Sequence, residues 1–169
     1  MTQRIRTAVV GTGFMGRVHL EALRRVEHVE VTAIAGRNAA AAEKLGSAFG
    51  VPRVDFEDIL RDKSIEAVHI CTPNAQHYPM AKAALEAGKH VLCEKPLAVS
   101  VEEAEELAAL AARKGLRNCV CHNLRHYPMV QQMRQLRETG ELGQILVVQG
   151  TYSQEWLLCE TDWNWRVSS

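Results

Sequence analysis

Apolar positions along this chain follow two rhythms, and the rhythms take turns. Short apolar runs rich in β-branched residues stand at Ile5–Val10, Val29–Ala35, Pro52–Val54, Ala67–Cys71, His90–Cys93 and Arg117–His122. Between them, apolar residues recur at helical spacing: Met15–Val26 through Val18, Ala22 and Leu23, then Ala39–Phe49, Phe56–Arg61, Gln76–Ala87, Ser100–Lys114 and Met129–Glu138. Gly88 and Gly115 stand where two of these helices should stop. Ser100, followed at the third residue by Glu103, has the form of a capping box.

Strands separated by helices predict βαβ units and a mostly parallel sheet. Runs such as AVHIC and HVLC show no in/out alternation, which suits a sheet covered on both faces. Six such strands predict an α/β fold, a doubly wound Rossmann sheet with order 3-2-1-4-5-6, over residues 1–125. The pattern changes after Gly140. Gly143–Glu155 alternates like a long strand, with no helix ready to follow it. The ending, WLLCETDWNWRVSS, is rich in tryptophan, and Trp156, Trp163 and Trp165 are expected to be exposed or disordered. Residues 126–169 therefore read as a connecting helix and the truncated start of a second α/β domain. An unpaired Gly143–Glu155 edge would be a site for association.

Composition narrows the partners. The chain has 169 residues, with 20 basic against 20 acidic side chains and no net charge. No basic field invites nucleic acid, and no polybasic patch invites a membrane surface. The apolar runs fall far short of the ~20 residues of a spanning helix. The N-terminus enters a strand at once, without a leader-like segment, so a cytoplasmic location is expected. Cys71, Cys93, Cys119, Cys121 and Cys159 form no CxxC pair. Buried free thiols are expected, and no metal site.

The first strand runs into Gly11-Thr12-Gly13-Phe14-Met15-Gly16, a G-x-G-x-x-G that opens a helix. Gly11 permits the tight turn, Gly13 clears the approach of a pyrophosphate, and Gly16 lets helix and strand pack closely. That context predicts a dinucleotide site. The second strand ends in Ala35-Gly36-Arg37-Asn38, without the acid that would hold a ribose 2′-hydroxyl. Arg37 offers a fork for a 2′-phosphate instead, which favours NADP over NAD.

In an open α/β sheet, ligands bind beyond the carboxyl ends of the strands. Three polar clusters fall there: Cys71-Thr72-Pro73-Asn74 with His77 a turn later, Glu94-Lys95-Pro96, and His122-Asn123-Leu124-Arg125. Neighbours on an extended strand point to opposite faces, so Glu94 and Lys95 are not automatically a pair.

GTGFMGRVHLEAL, CTPNAQHYPMAKAALEAGKHVLCEKPLA and NLRHYP together resemble the glucose–fructose oxidoreductase, inositol dehydrogenase and rhizopine-catabolism (Gfo/Idh/MocA) family over essentially the whole chain. The resemblance implies an NAD(P)-dependent oxidoreductase acting on sugars, polyols or related hydroxyl compounds. It implies a Rossmann domain followed by an α/β domain whose open sheet forms homo-oligomers. It makes Lys95 the catalytic lysine, places Glu94 near the nicotinamide ribose, and allows a cis bond at Lys95–Pro96. Thr72, Pro73, Asn74 and His77 would line the nicotinamide side, with Asn123 and Arg125 in the same cleft. A lysine can take a hydroxyl proton when desolvation and a nearby positive nicotinamide lower its pKa.

The family usually adds D-x-x-x-H on a later helix. Here the one aspartate after Lys95 is Asp162, followed at that spacing by Arg166, and the last histidine is His126. The chain is therefore read as the N-terminal portion of a longer enzyme, expected to bind cofactor but to lack the full catalytic set. Two further readings stand beside the dehydrogenase. One is a glycoside hydrolase that uses held NAD for transient oxidation; the other is a non-catalytic NAD(P)-binding module.

Overall fold

A computed structural model describes residues 4–155 and 157–163. Five strands form one parallel sheet: β1 (Ile5–Val10), β2 (Val29–Ala35), β3 (Ala67–Ile70), β4 (His90–Glu94) and β5 (Asn118–Cys121), in the order β2-β1-β3-β4-β5. The helices between them are α1 (Phe14–Leu23), α2 (Ala39–Phe49), α3 (Phe56–Arg61), α4 (His77–Glu86) and α5 (Val101–Arg113). α6 (Pro128–Glu138) follows β5. Short 3₁₀ turns, Asn74–Gln76 and Asn123–His126, lead into α4 and α6.

The apolar runs are covered on both faces, as their lack of alternation requires. Ala8, Val10, Val68, Ile70, Val91 and Cys93 pack under Ile59 of α3, Ala81, Ala84 and Leu85 of α4, and Leu107 and Leu110 of α5. On the other face Val9 and Ile34 meet Leu20 and Leu23 of α1 and Ala42 and Leu45 of α2. Burying each of these larger aliphatic side chains stabilises the fold by roughly 1.5–3 kcal/mol. Crossover helices on both sides are what hold the strands parallel.

Four sequence expectations change. The predicted strand Pro52–Val54 is a single bridge, Arg53 against Ile34, held by Ile34 N–H to Pro52 O and Val54 N–H to Ile34 O. Pro52 brings no N–H to the ladder, and Asp55 already caps α3, so the segment is too short to extend it. It still sits where the predicted order puts the third strand, at the edge beside β2. Residues 143–155 contain no strand. Leu146, Val147 and Val148 are exposed, and an alternating segment without a neighbouring strand has no ladder to join. Of the five thiols, Cys71 and Cys93 are buried, Cys121 is half-buried, and Cys119 and Cys159 are exposed. β5 pairs only with β4, so its cysteines lie on the edge of the sheet. The predicted helix from Gln76 begins one residue later, after the 3₁₀ turn.

The caps follow the sequence closely. Ser100 Oγ accepts the Glu103 N–H (3.2 Å) at the start of α5. Glu103 reaches back to the Val99 N–H (3.2 Å), one residue earlier than a reciprocal box would have it. Asn38 Oδ1 caps α2 through the Ala41 N–H (3.0 Å).

The chain divides into two compact units, Met1–Asn123 and Leu124–Ser169. In the second, Pro128 starts α6 and no α6 residue is buried. Trp163 is exposed; Trp156, Trp165 and Arg166 lie outside the described residues. No helix among the described residues is long and apolar enough to cross a membrane.

Candidate functional site

The glycine loop separates its three glycines by physical cause. Gly11 has φ +119°, and a Cβ there would lie 2.4 Å from the Cys71 carbonyl oxygen. A Cβ on Gly16 would lie 1.9 Å from the Gly11 carbonyl oxygen. Both glycines are demanded by the protein's own backbone. Gly13 differs: its φ is −76°, and a Cβ would meet nothing within 4 Å. Nothing in the chain requires glycine there, so the space it leaves open suits a ligand. Gly13 is also the N-cap of α1, with no side-chain cap and no acid in the first turn. The free N–H groups of that turn and the positive end of the helix face outward for an anion. Phe14 stands beside them, 80 % exposed, while Met15 packs against the core.

At the end of β2, a Cβ on Gly36 would come within 2.6 Å of the Thr12 side chain, so this glycine brings the strand end against the loop. Arg37 is exposed and, among the described residues, makes no hydrogen bond or ion pair.

At the end of β3, Cys71 is buried and contributes its backbone to the close approach of Gly11. Burial pushes its thiol far up, with the Glu94 carboxylate adding to the effect. Thr72 Oγ1 is buried and has no hydrogen-bond partner among the described residues. A buried hydroxyl without a partner costs about 1–3 kcal/mol, and a ligand's polar group beside it would remove that cost. Asn74 is half-buried and Pro73 exposed in the same turn.

His77 has a role the sequence did not suggest. It is 1 % exposed. Its Nδ1 faces the Pro96 carbonyl oxygen (2.6 Å) and its Nε2 the Thr72 carbonyl oxygen (2.7 Å). The ring straps the loop after β3 to the loop after β4 from beneath, rather than presenting itself to a ligand.

The end of β4 divides its two charges. Glu94 is 5 % exposed. Its Oε1 lies 3.0 Å from His19 Nε2 on α1, and its Oε2 accepts the Lys95 N–H at 3.3 Å. His19 Nδ1 in turn lies 3.1 Å from His69 Nδ1 on β3. Burial, reinforced by nearby His19, lowers His69 to about 4. Burial, with the Glu94 carboxylate nearby, pushes the Cys121 thiol up to about 11. Burial likewise raises Cys93 to about 12. Lys95 points the other way: it is exposed and, among the described residues, its amine makes no ion pair, with a cis peptide to Pro96 following it. The ligating atoms of His19, Glu94 and Cys121 lie within 4.8 Å of one another, a set that could hold a metal ion. His19 Nε2 already meets the carboxylate at hydrogen-bond distance, so that pair is satisfied without an ion.

The structure thus brings Gly11, Gly13, Gly16, Cys71, Thr72, His77, Glu94 and Pro96 to one end of the sheet. Asn123 is exposed at the end of the first unit. Arg125 belongs to the second unit, where its carbonyl accepts a hydrogen bond from the Gln131 amide. The sequence reading passed over His19 and His69. The available signal was an imidazole at an apolar position: His19 stands beside Leu20 in the buried stripe of α1, and His69 interrupts AVHIC. Lys89 was also missed. It is buried, donating to the carbonyls of Asp62 (2.6 Å) and Ile65 (2.9 Å), a structural role.

Known proteins resemble this chain in sequence and fold. The family described as "Oxidoreductase family, NAD-binding Rossmann fold" matches residues 5–122. Levoglucosan dehydrogenase of Pseudarthrobacter phenanthrenivorans is 35 % identical over 164 residues, covering 91 % of this chain and 42 % of that protein. Inositol 2-dehydrogenase of Salmonella paratyphi B is 34 % identical over 154 residues, covering 88 % and 46 %. The crystal structure of Lactobacillus casei scyllo-inositol dehydrogenase with bound NAD(H) and scyllo-inositol superposes with a TM-score of 0.78 at 27 % identity, covering 83 % and 43 %. The chain spans less than half the length of these relatives. Matched over its strands, its glycine loop and the charged end of β4, the chain belongs to the Gfo/Idh/MocA oxidoreductase family and carries that family's NAD-binding Rossmann fold.

Proposed function

We propose that the chain binds a nicotinamide dinucleotide across the carboxyl ends of β1, β3 and β4. The whole protein would then use it to oxidise or reduce a CH–OH group of a sugar or polyol. The observation that carries this reading is Gly13: it lacks a side chain for no reason internal to the protein, at a helix N-terminus suited to an anion. Thr72 Oγ1, buried without a partner, supports it from the neighbouring strand end. The relatives named as dehydrogenases of levoglucosan and inositol support the substrate class.

The bound nicotinamide supplies the hydride acceptor or donor. The chain's own part is to hold and to move a proton. Gly11 and Gly13 give the pyrophosphate its approach to the first turn of α1. Lys95 is the proton acceptor of the reaction. Its amine is not tied to Glu94, which His19 holds instead, so it remains available to a substrate hydroxyl. General base catalysis of this kind contributes about 10²–10⁴-fold in rate. Asn123 and the turn Pro73–Asn74 complete the proposed lining within the first unit. The whole protein is proposed to form homo-oligomers, as the resemblance implies.

At the adenosine end, the absence of an acid and the unengaged Arg37 support NADP over NAD. Titrating both oxidised and both reduced cofactors into the chain at equal salt tests the site. Saturable binding is expected, with NADP(H) the tighter. No saturation at millimolar cofactor would sink the reading. In the whole protein, Lys95→Ala is expected to lower kcat by about 10²-fold or more while leaving cofactor affinity within about twofold.

A further inference from the structure

His69, His19 and Glu94 form a continuous buried file. His69 on β3 meets α1, and α1 meets the end of β4, across 50 and then 75 positions of sequence. The two imidazoles stand edge to face, centroids 5.3 Å apart and planes at 84°. Their contact joins two like atoms, Nδ1 to Nδ1, at 3.1 Å. A hydrogen bond between like nitrogens holds one proton, so one ring donates and the other accepts.

Which ring donates follows from the far end of the file. Glu94 already acts as an acceptor there, since its Oε2 takes the Lys95 N–H. It faces His19 Nε2 at 3.0 Å, and that nitrogen therefore carries the hydrogen. A neutral His19 then has a bare Nδ1. The proton between the rings belongs to His69, whose Nδ1–H donates to His19. Cys71, Cys93 and Cys121, all thiols, and the Lys95 N–H are the other groups near Glu94. None of them supplies a second acceptor that could pull the His19 hydrogen away.

We propose that His69 is a positioning residue: by donating to His19 Nδ1 it fixes His19 as the Nε2–H tautomer, which anchors Glu94 as an oriented carboxylate beneath the Lys95 backbone. Without that donor, His19 can place its hydrogen on Nδ1, and Glu94 loses a partner in a site where water does not replace it. The tautomer assignment rests on these contacts and on a His19 that carries one ring hydrogen. Its consequence for cofactor binding rests on the dinucleotide site proposed above, because Glu94 Oε2 holds the main chain that leads into Lys95 and Pro96.

The test labels the histidine rings of the chain with ¹⁵N and reads long-range ¹H–¹⁵N correlations at about pH 7.5, above the ordinary imidazole range. Expected are His19 as the Nε2–H tautomer and His69 as Nδ1–H. His69→Leu is expected to turn the His19 signals into a mixture of tautomers and to weaken NAD(P)H binding about fivefold. His69→Asn places an amide N–H where Nδ1–H stood, and is expected to restore both within about twofold. An imidazolium or Nδ1–H form of His19 in the unsubstituted chain overturns the proposal. So do unchanged His19 signals in His69→Leu. Should that variant not fold, the unsubstituted spectrum and His69→Asn decide. A chain that binds no NAD(P)H while showing the expected tautomers retains the file and refutes the cofactor reading.

Discussion

The glycine turn after β1 and the charged end of β4 lie at the same end of one sheet and are built by opposite means. The turn consists almost wholly of backbone. Gly11 and Gly16 are bare because main-chain carbonyls occupy the space a Cβ would need, and Gly13 is bare beside open space. The end of β4 depends on side chains from three elements, with Glu94 held by His19 and His19 by His69. The first construction depends chiefly on its glycines. The second is expected to fail where a member loses its hydrogen-bonding group, because a buried partner is then left unpaired.

That contrast can be broken experimentally, most severely at the buried file. His19→Leu leaves the Glu94 carboxylate buried without its imidazole donor and is expected to cost about 3 kcal/mol of stability, read by urea unfolding. A loss under about 1 kcal/mol would mean that water or Cys121 takes over the role. Gly16→Ala forces a Cβ against a carbonyl and is expected to cost roughly 1–3 kcal/mol. Gly13→Ala should leave unfolding within about 0.5 kcal/mol of the parent yet weaken dinucleotide binding tenfold or more. Equal destabilisation by both alanines would erase the distinction between glycines required by the fold and the one left for a ligand.

A smaller effect sharpens the comparison through pH. Burial, reinforced by His19, holds His69 at about 4 in the folded state, against about 6.5 unfolded. The folded protein therefore binds fewer protons between these values, and stability falls as the pH drops through that window. The His69 contribution should fall by about 2 kcal/mol between about pH 7 and pH 5, and His69→Leu should remove that slope. The smallest effect is expected at Arg37. Arg37→Ala should leave stability within about 0.5 kcal/mol, weaken NADP about tenfold, and leave NAD unaffected. NAD binding as tight as NADP in the parent chain would remove the reason for the variant.

Much of the fold was legible because its signals are local. Strand and helix alternation, the glycines that stop α4 and α5, and the Ser100 cap each depend on residues a few positions apart. The strand at Pro52–Val54 was over-read because apolar character says nothing about whether a ladder partner and an N–H are present. The segment Gly143–Glu155 was over-read for the same reason, since alternation describes a strand's faces and not its neighbour. In the site, the glycine loop and the Glu94-Lys95-Pro96 cluster were visible as motifs. The partners of Glu94 and His77 were not, because each lies on another element.

By itself, the sequence determined the α/β class, the position of the phosphate turn and, to within one residue, where each of the five strands ends. These follow from periodicity and from backbone conformations that only glycine or proline readily adopts. Tertiary structure alone decided that Glu94 pairs with His19 rather than Lys95, that His77 is a strap beneath the strand ends, and that Gly13 faces open space while its two companions do not. Those outcomes depend on which atoms folding brings within hydrogen-bond or van der Waals distance, and spacing along the chain carries no record of that.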